Sequence, residues 1–278
     1  MGTPQFSVPI LEAIITHYPN TIVFSKPDKI RGRSRKKSPS PVKEIALKHN
    51  LEVHTPTTKE DLSEEVQKIQ PDLIIVVAYA MILPKKITDN YTCINIHASL
   101  LPNYRGASPI HSALLNNDKK TGITLIQMNE KMDEGDILKI EELSIQEDDN
   151  LATLEDKLST ISSKLICEYI STLNISKHPI LLPNKVKQDH DKASYCKKIQ
   201  KEDLELKLSD TIQTNFAKIR AFSPKPGAFI IQNNQRIKVL KANIENEKLV
   251  PIIIKPEGKK EMMYKDYLLG QKEEIKLC

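Results

Sequence analysis

The chain has 278 residues, 39% of them apolar and 28% charged, with a formal net charge of +5. This is the composition of a soluble globular protein long enough for a core domain and a smaller appended one, and a modest positive excess becomes a polyanion-binding feature if the basic residues cluster. No apolar run is long enough to span a bilayer, no signal peptide opens the chain, and Cys93, Cys167, Cys196 and Cys278 show neither Cys-x-x-Cys spacing nor a disulfide pattern. A cytoplasmic protein with structural thiols and no metal is therefore expected.

In chain order, Phe6 to His17 has helical periodicity, Thr21 to Phe24 is a short apolar strand, and Val42 to His49 is a second helix opened by Pro41. Leu73 to Val77 and Cys93 to His97 are apolar runs of strand length, Ile123 to Met128 and Ile137 to Leu143 read as further strands, and Leu151 to Leu173 as a long amphipathic helix. Strands alternating with helices predict an α/β fold with a doubly wound, mostly parallel sheet. Pro179 to Lys197 breaks the periodicity and is the expected linker, so the domains expected are 1–178 and 198–278. Beyond it, a helix around Thr211 to Arg220 and strands Ala228 to Ile231, Ile237 to Ala242 and Val250 to Ile254 suggest a small β-barrel.

The richest stretch is Asn95-Ile96-His97, continuing Ala98-Ser99-Leu100-Leu101-Pro102-Asn103-Tyr104-Arg105-Gly106-Ala107-Ser108-Pro109-Ile110. It joins a strand end to a Pro/Gly turn and a helix start, which lifts an amide and an imidazole to the rim of the sheet where α/β proteins bind ligands. The pattern Asn-x-His-x-Ser-Leu-Leu-Pro-x-x-Arg-Gly-Ala-x-Pro-Ile resembles the signature of the folate-dependent formyltransferases, in the form used by members that act on methionyl-initiator tRNA. Downstream, Met132-Asp133-Glu134-Gly135-Asp136-Ile137-Leu138 is similar to a second family element, with Asp136 matched to its aspartate.

The resemblance implies formyl transfer from 10-formyltetrahydrofolate to the amine of methionyl-initiator tRNA, with Asn95, His97 and Asp136 as catalytic residues and Ser99, Leu100, Leu101 and Pro102 lining the folate pocket. It also implies a Rossmann-like core, an OB-like C-terminal barrel that contacts tRNA, and a monomer. Transfer to an amine passes through a tetrahedral intermediate whose oxygen gains charge, so Asn95 and His97 suit oxyanion donors. Asp136 would orient the imidazole as an electrostatic partner or accept a proton. Tyr79 to Pro84 resembles a second pocket wall, with Ala80 where glycine is usual, although plain core packing explains it equally well. Other acceptors, glycinamide ribonucleotide or an amino sugar, are the alternative reading, and a noncatalytic RNA-binding protein on this scaffold is the reading from another class. No Gly-x-Gly-x-x-Gly is present, and a nucleotide cofactor is not expected.

Lys26 to Pro41 holds seven basic residues and one acidic residue, too polar for a core. A basic insertion at this place reaches the tRNA acceptor stem in the family, with Arg33 matching its key arginine, so Arg31, Arg33, Arg35, Lys36 and Lys37 are expected to bind tRNA. Arg220-Ala221-Phe222-Ser223-Pro224-x-Pro226-Gly227-Ala228 and Pro256-Glu257-Gly258-Lys259-Lys260 resemble segments of the family's C-terminal domain, and Lys259 and Lys260 are the expected second contact. Glu205-Leu206-Lys207 stands where the family has an acidic-aromatic pair. Finally, the opening Met1-Gly2-Thr3-Pro4-Gln5-Phe6 is a turn that in the family follows a buried first strand. Either Met1 is an internal methionine preceded by about five to ten residues, or another segment replaces that strand.

Overall fold

A computed structural model of the protein describes residues 1–30, 37–175, 180–269 and 274–277. Its elements are α1 (Val8–His17), β1 (Val23–Phe24), β2 (Lys29–Ile30), β3 (Lys37–Ser38), α2 (Pro41–Lys48), β4 (Val53–His54), α3 (Lys59–Ile69), β5 (Leu73–Val76), α4 (Lys85–Asn90), β6 (Thr92–His97), β7 (Arg105–Gly106), α5 (Pro109–Leu115), β8 (Lys120–Gln127), β9 (Ile137–Ser144), α6 (Leu151–Ser171), β10 (Tyr195–Cys196), α7 (Ile212–Phe222), β11 (Ala228–Gln232), β12 (Gln235–Glu245), β13 (Lys248–Pro256), β14 (Met262–Met263) and α8 (Tyr264–Leu268). They divide into two compact units: Met1–Gly106 with Gly122–Leu143 and Asp156–Tyr195, and Ala107–Thr121 with Ser144–Glu155 and Cys196–Cys278.

In the first unit, β1 pairs with β4 and β5 with β6, both parallel, and β8 joins β6 antiparallel in the order β5-β6-β8-β9. Val23 and Phe24 fall into different apolar clusters because successive strand residues face opposite ways. Val23 packs with Val8, Leu11, Val42 and Ala46, and Phe24 with Leu62, Val66, Ile74 and Ile87. The covering helices carry their own start signals. The Ser40 hydroxyl accepts from Lys43 N ahead of α2, and Thr58 forms a capping box with Asp61 at α3.

Met1 and Gly2 lie between β1 and β5. The Met1 ammonium donates to Ile75 O at 2.7 Å, Val77 N donates to Met1 O at 2.9 Å, and Gly2 N donates to Phe24 O at 3.0 Å. Two residues thus link the two sheets into one series. Beside them is a cavity of about 500 Å³ walled by apolar side chains including Ile10, Leu11, Ile14, Val23 and Leu73.

The stretch expected as a linker is tied down instead. Ile180 and Leu182 are buried, and Val186 and Ile137 exchange both backbone hydrogen bonds. The left-handed residue of the loop after β5 is Ala78, at φ 46°, rather than Ala80.

In the second unit, β11, β12, β13 and β14 form the antiparallel sheet of the C-terminal domain, in that order. Asn233 and Asn234, both at positive φ, make the tight turn between β11 and β12, a pairing of residues that suits the twist of a hairpin. The α7 helix is capped by Thr211 and buries Ala217, Ile219, Ala221 and Phe222. Leu206 is buried and donates its N–H to Phe229 O at 2.8 Å.

Candidate active site

Asn95 and His97 both come from β6, two residues apart, so they leave the strand on one face at its C-terminal end. His97 is buried, and its Nε2 lies 2.9 Å from Tyr104 O. A carbonyl can only accept, so Nε2 carries a proton and Nδ1 is the nitrogen left to face the site.

The carboxylate facing Nδ1 belongs to Asp133, with Oδ2 at 3.6 Å, too long for a hydrogen bond and within ion-pair distance of a protonated imidazole. Oδ1 of the same group accepts from Asn95 Nδ2 at 3.2 Å, and Oδ2 accepts from Gly106 N at 2.8 Å. Asn95, His97 and Asp133 therefore form a triangle with the carboxylate at its apex. Asp136, the aspartate matched from the sequence, lies outside it and contributes its backbone carbonyl to Gln127 N at 2.9 Å. The two aspartates stand three residues apart in Asp-Glu-Gly-Asp, and the first of them reaches the histidine. Gly135 lies between them because a Cβ there would run into the Gln127 carbonyl.

Both residues that touch the imidazole have left-handed backbone, Tyr104 at φ 58° and Asp133 at φ 56°. Such conformations are unfavourable for residues with a Cβ and persist where surrounding bonds hold them, often at functional sites. Here Tyr104 N donates to Ser194 Oγ at 2.9 Å, and Asp133 O accepts from Gln188 Nε2 at 2.8 Å. Tyr104, Arg105, Asp133, Gln188 and Ser194 were all missed by sequence reasoning. Asp133 had a visible signal in its own motif; Gln188 and Ser194 sit in a polar stretch with none.

Of the expected folate residues, Ser99 and Leu101 are buried while Leu100 and Pro102 are half-buried. Ser99 Oγ donates to Asn103 O at 2.6 Å, and Thr124 Oγ1 donates to Ser99 O at 2.7 Å while accepting from Leu101 N at 3.1 Å. That web fixes the turn beneath His97. In the second expected wall, Tyr79 and Leu83 belong to the buried cluster around Phe24, whereas Ala80 and Ile82 are exposed. Arg31, Arg33, Arg35 and Lys36 lie outside the described residues; Lys37 is exposed on β3, which pairs with β2. Lys259 and Lys260 are exposed just past β13.

Residues 2–170 match the family model described as formyl transferase, and residues 198–251 match the formyl transferase C-terminal domain. The chain belongs to the formyl transferase family. It is 36% identical over 300 residues to methionyl-tRNA formyltransferase of Ehrlichia ruminantium (strain Welgevonden), covering 97% of this chain and 95% of the relative. Against methionyl-tRNA formyltransferase of Bacillus subtilis (strain 168) it is 42% identical over 245 residues, covering 86% of this chain and 75% of the relative. Its fold is similar to that of an N-formyltransferase from Helicobacter canadensis, solved with folinic acid and dTDP-3-aminofucose. The TM-score is 0.65 at 19% identity, over 94% of this chain and 93% of that one. Family membership makes the chain an enzyme. Among the described residues, no helix is long and apolar enough to cross a membrane.

Proposed function

We propose that this chain transfers the formyl group of 10-formyltetrahydrofolate to the free amine of methionyl-initiator tRNA, as a cytoplasmic monomer. The observation that carries the chemistry is the Asn95–His97–Asp133 triangle at the end of β6. Likeness over nearly the full chain to methionyl-tRNA formyltransferases supports the acceptor.

In this reading the Asn95 side-chain NH2 turns from Asp133 to the formyl oxygen as charge builds there, a task for which one fixed donor is worth about 10²–10³ in rate. His97 offers Nδ1, its remaining nitrogen, to the reacting centre. Protonated, it donates to the developing oxyanion; neutral, it takes the proton that the amine sheds as it adds to the formyl carbon, and that proton passes to N10 of tetrahydrofolate as the formyl–N10 bond breaks. Asp133 orients both partners through its two oxygens. Gly106 N, bonded to Oδ2, holds that carboxylate in place.

Ser99, Leu100, Leu101 and Pro102 shape the folate side, the buried pair setting the turn and the half-buried pair meeting the pteridine. Arg31, Arg33, Arg35, Lys36 and Lys37 bind the tRNA acceptor stem, and Lys259 and Lys260 bind its backbone. Residues 1–178 carry the chemistry, and 198–278 serve the tRNA. The test is competition for the acceptor: with 10-formyltetrahydrofolate as donor, methionyl-initiator tRNA is formylated, and free methionine and amino-sugar nucleotides are not. Preference for a sugar amine would overturn the acceptor assignment while leaving the chemistry standing.

A further inference from the structure

Gln188 belongs to a stretch whose composition offers no chemistry, yet its amide is buried next to the site with every polar position bonded. Its Oε1 accepts from Arg105 Nε at 3.0 Å and Nη2 at 2.7 Å, while its Nε2 donates to Asp133 O and to Gly135 O, both at 2.8 Å. Four bonds use the whole capacity of an amide, and the orientation is unambiguous because a guanidinium only donates and a carbonyl only accepts. Gln188 is 6% exposed and Arg105 is 1% exposed, so water replaces neither partner. Arg105 is itself held by Tyr195 Oη at 3.1 Å, by Glu134 Oε1 at 3.6 Å and by its own N–H on Ser194 O.

Asp133 is thus gripped from two sides. Its carboxylate takes the N–H of Gly106, the residue after Arg105, and its carbonyl takes the amide that Arg105 fixes. Between those grips the backbone stands at φ 56°, a conformation the free loop would leave. We propose that Gln188 is a positioning residue for formyl transfer, acting through Asp133 by clamping the Asp133–Gly135 loop so that the carboxylate meets Asn95 and His97 together. Gln188 touches none of the reacting atoms, and the inference rests on the function proposed above.

The experiment compares the full chain with Gln188→Glu, Gln188→Ala and Lys187→Ala, the last an exposed neighbour serving as control. Gln188→Glu keeps an acceptor for Arg105 and sets an oxygen against the two carbonyls. Folding is checked by circular dichroism and thermal unfolding; kcat and both KM values are measured; His97 is titrated by NMR of its ring C–H. Displacing a catalytic group by about 1 Å costs on the order of 10²-fold, so kcat falls about 10- to 100-fold in both Gln188 variants. Both KM values stay within about threefold, because binding groups are untouched. The His97 titration moves, since its charge partner has moved, and Gln188→Ala costs nothing further once Asp133→Asn is present. A folded Gln188→Glu with unchanged kcat, an unmoved His97 titration, or an equal loss on top of Asp133→Asn would overturn the proposal. Should Gln188→Ala fail to fold, Gln188→Glu, close to it in volume, decides. If the parent protein does not formylate methionyl-tRNA, the function reading falls, and the His97 titration still decides the clamp.

Discussion

Replacing Asp133 by asparagine and Asp136 by asparagine separates two carboxylates that the sequence alone leaves interchangeable. Asp133 lies 3.6 Å from His97 Nδ1 with its side chain 12% exposed. Losing the group that orients both the imidazole and the Asn95 amide is worth on the order of 10³-fold in rate, or about 4 kcal/mol of barrier. Asparagine keeps the shape and an acceptor for Gly106 N but removes the charge and sets an NH2 against that of Asn95. Asp133→Asn should therefore lower kcat about 10³-fold with small changes in KM. Asp136 serves by its backbone carbonyl, which asparagine retains, so Asp136→Asn should stay within about threefold. Single-turnover formylation of methionyl-tRNA, read by acid gel separation of the aminoacyl-tRNA, resolves both. A 10³-fold loss in Asp136→Asn beside a near-normal Asp133→Asn would refute the geometry.

Asn95→Ala removes the second oxyanion donor and should cost about 10²–10³ in kcat with folate affinity unchanged, measured by rapid quench; a loss confined to KM would assign Asn95 to binding. Neutralising Lys259 and Lys260 together should weaken tRNA binding and lower its salt slope by roughly 1.4 to 1.8, leaving folate binding alone; equal loss of both affinities would count against a tRNA role.

Much of this fold is written in short-range pattern. The strands at 73–77 and 93–97 and the long helix from 151 are apolar runs or stripes whose lengths suffice to identify them. The α3 helix carried a start signal, Thr58-x-x-Asp61, with Leu62 and Val66 as its buried face, but its acidic, weakly apolar sequence hid the stripe. The stretch from Ile180 to Tyr195 could not be recovered from composition: its few apolar residues are spaced irregularly, and its place is set by Gln188 and Ser194 binding two loops, each more than fifty residues away in sequence. For the same reason the site was half legible. Asn95 and His97 sit two apart on one strand, so alternation fixes their common side, whereas choosing between Asp133 and Asp136 needs the path of a turn. That path depends on Gly135 against Gln127 and on the left-handed backbone of Asp133, both long-range outcomes.

The central claim is the reaction, and the most direct measurement is transfer of a labelled formyl group from 10-formyltetrahydrofolate by the purified full chain to methionyl-initiator tRNA, beside methionyl-elongator tRNA and a dTDP-amino sugar. The account predicts label on the initiator tRNA, strongly reduced label on the elongator tRNA, none on the sugar, and about a thousandfold loss with Asp133→Asn. Label on the amino sugar and none on the tRNA, or transfer that survives Asp133→Asn undiminished, would contradict it.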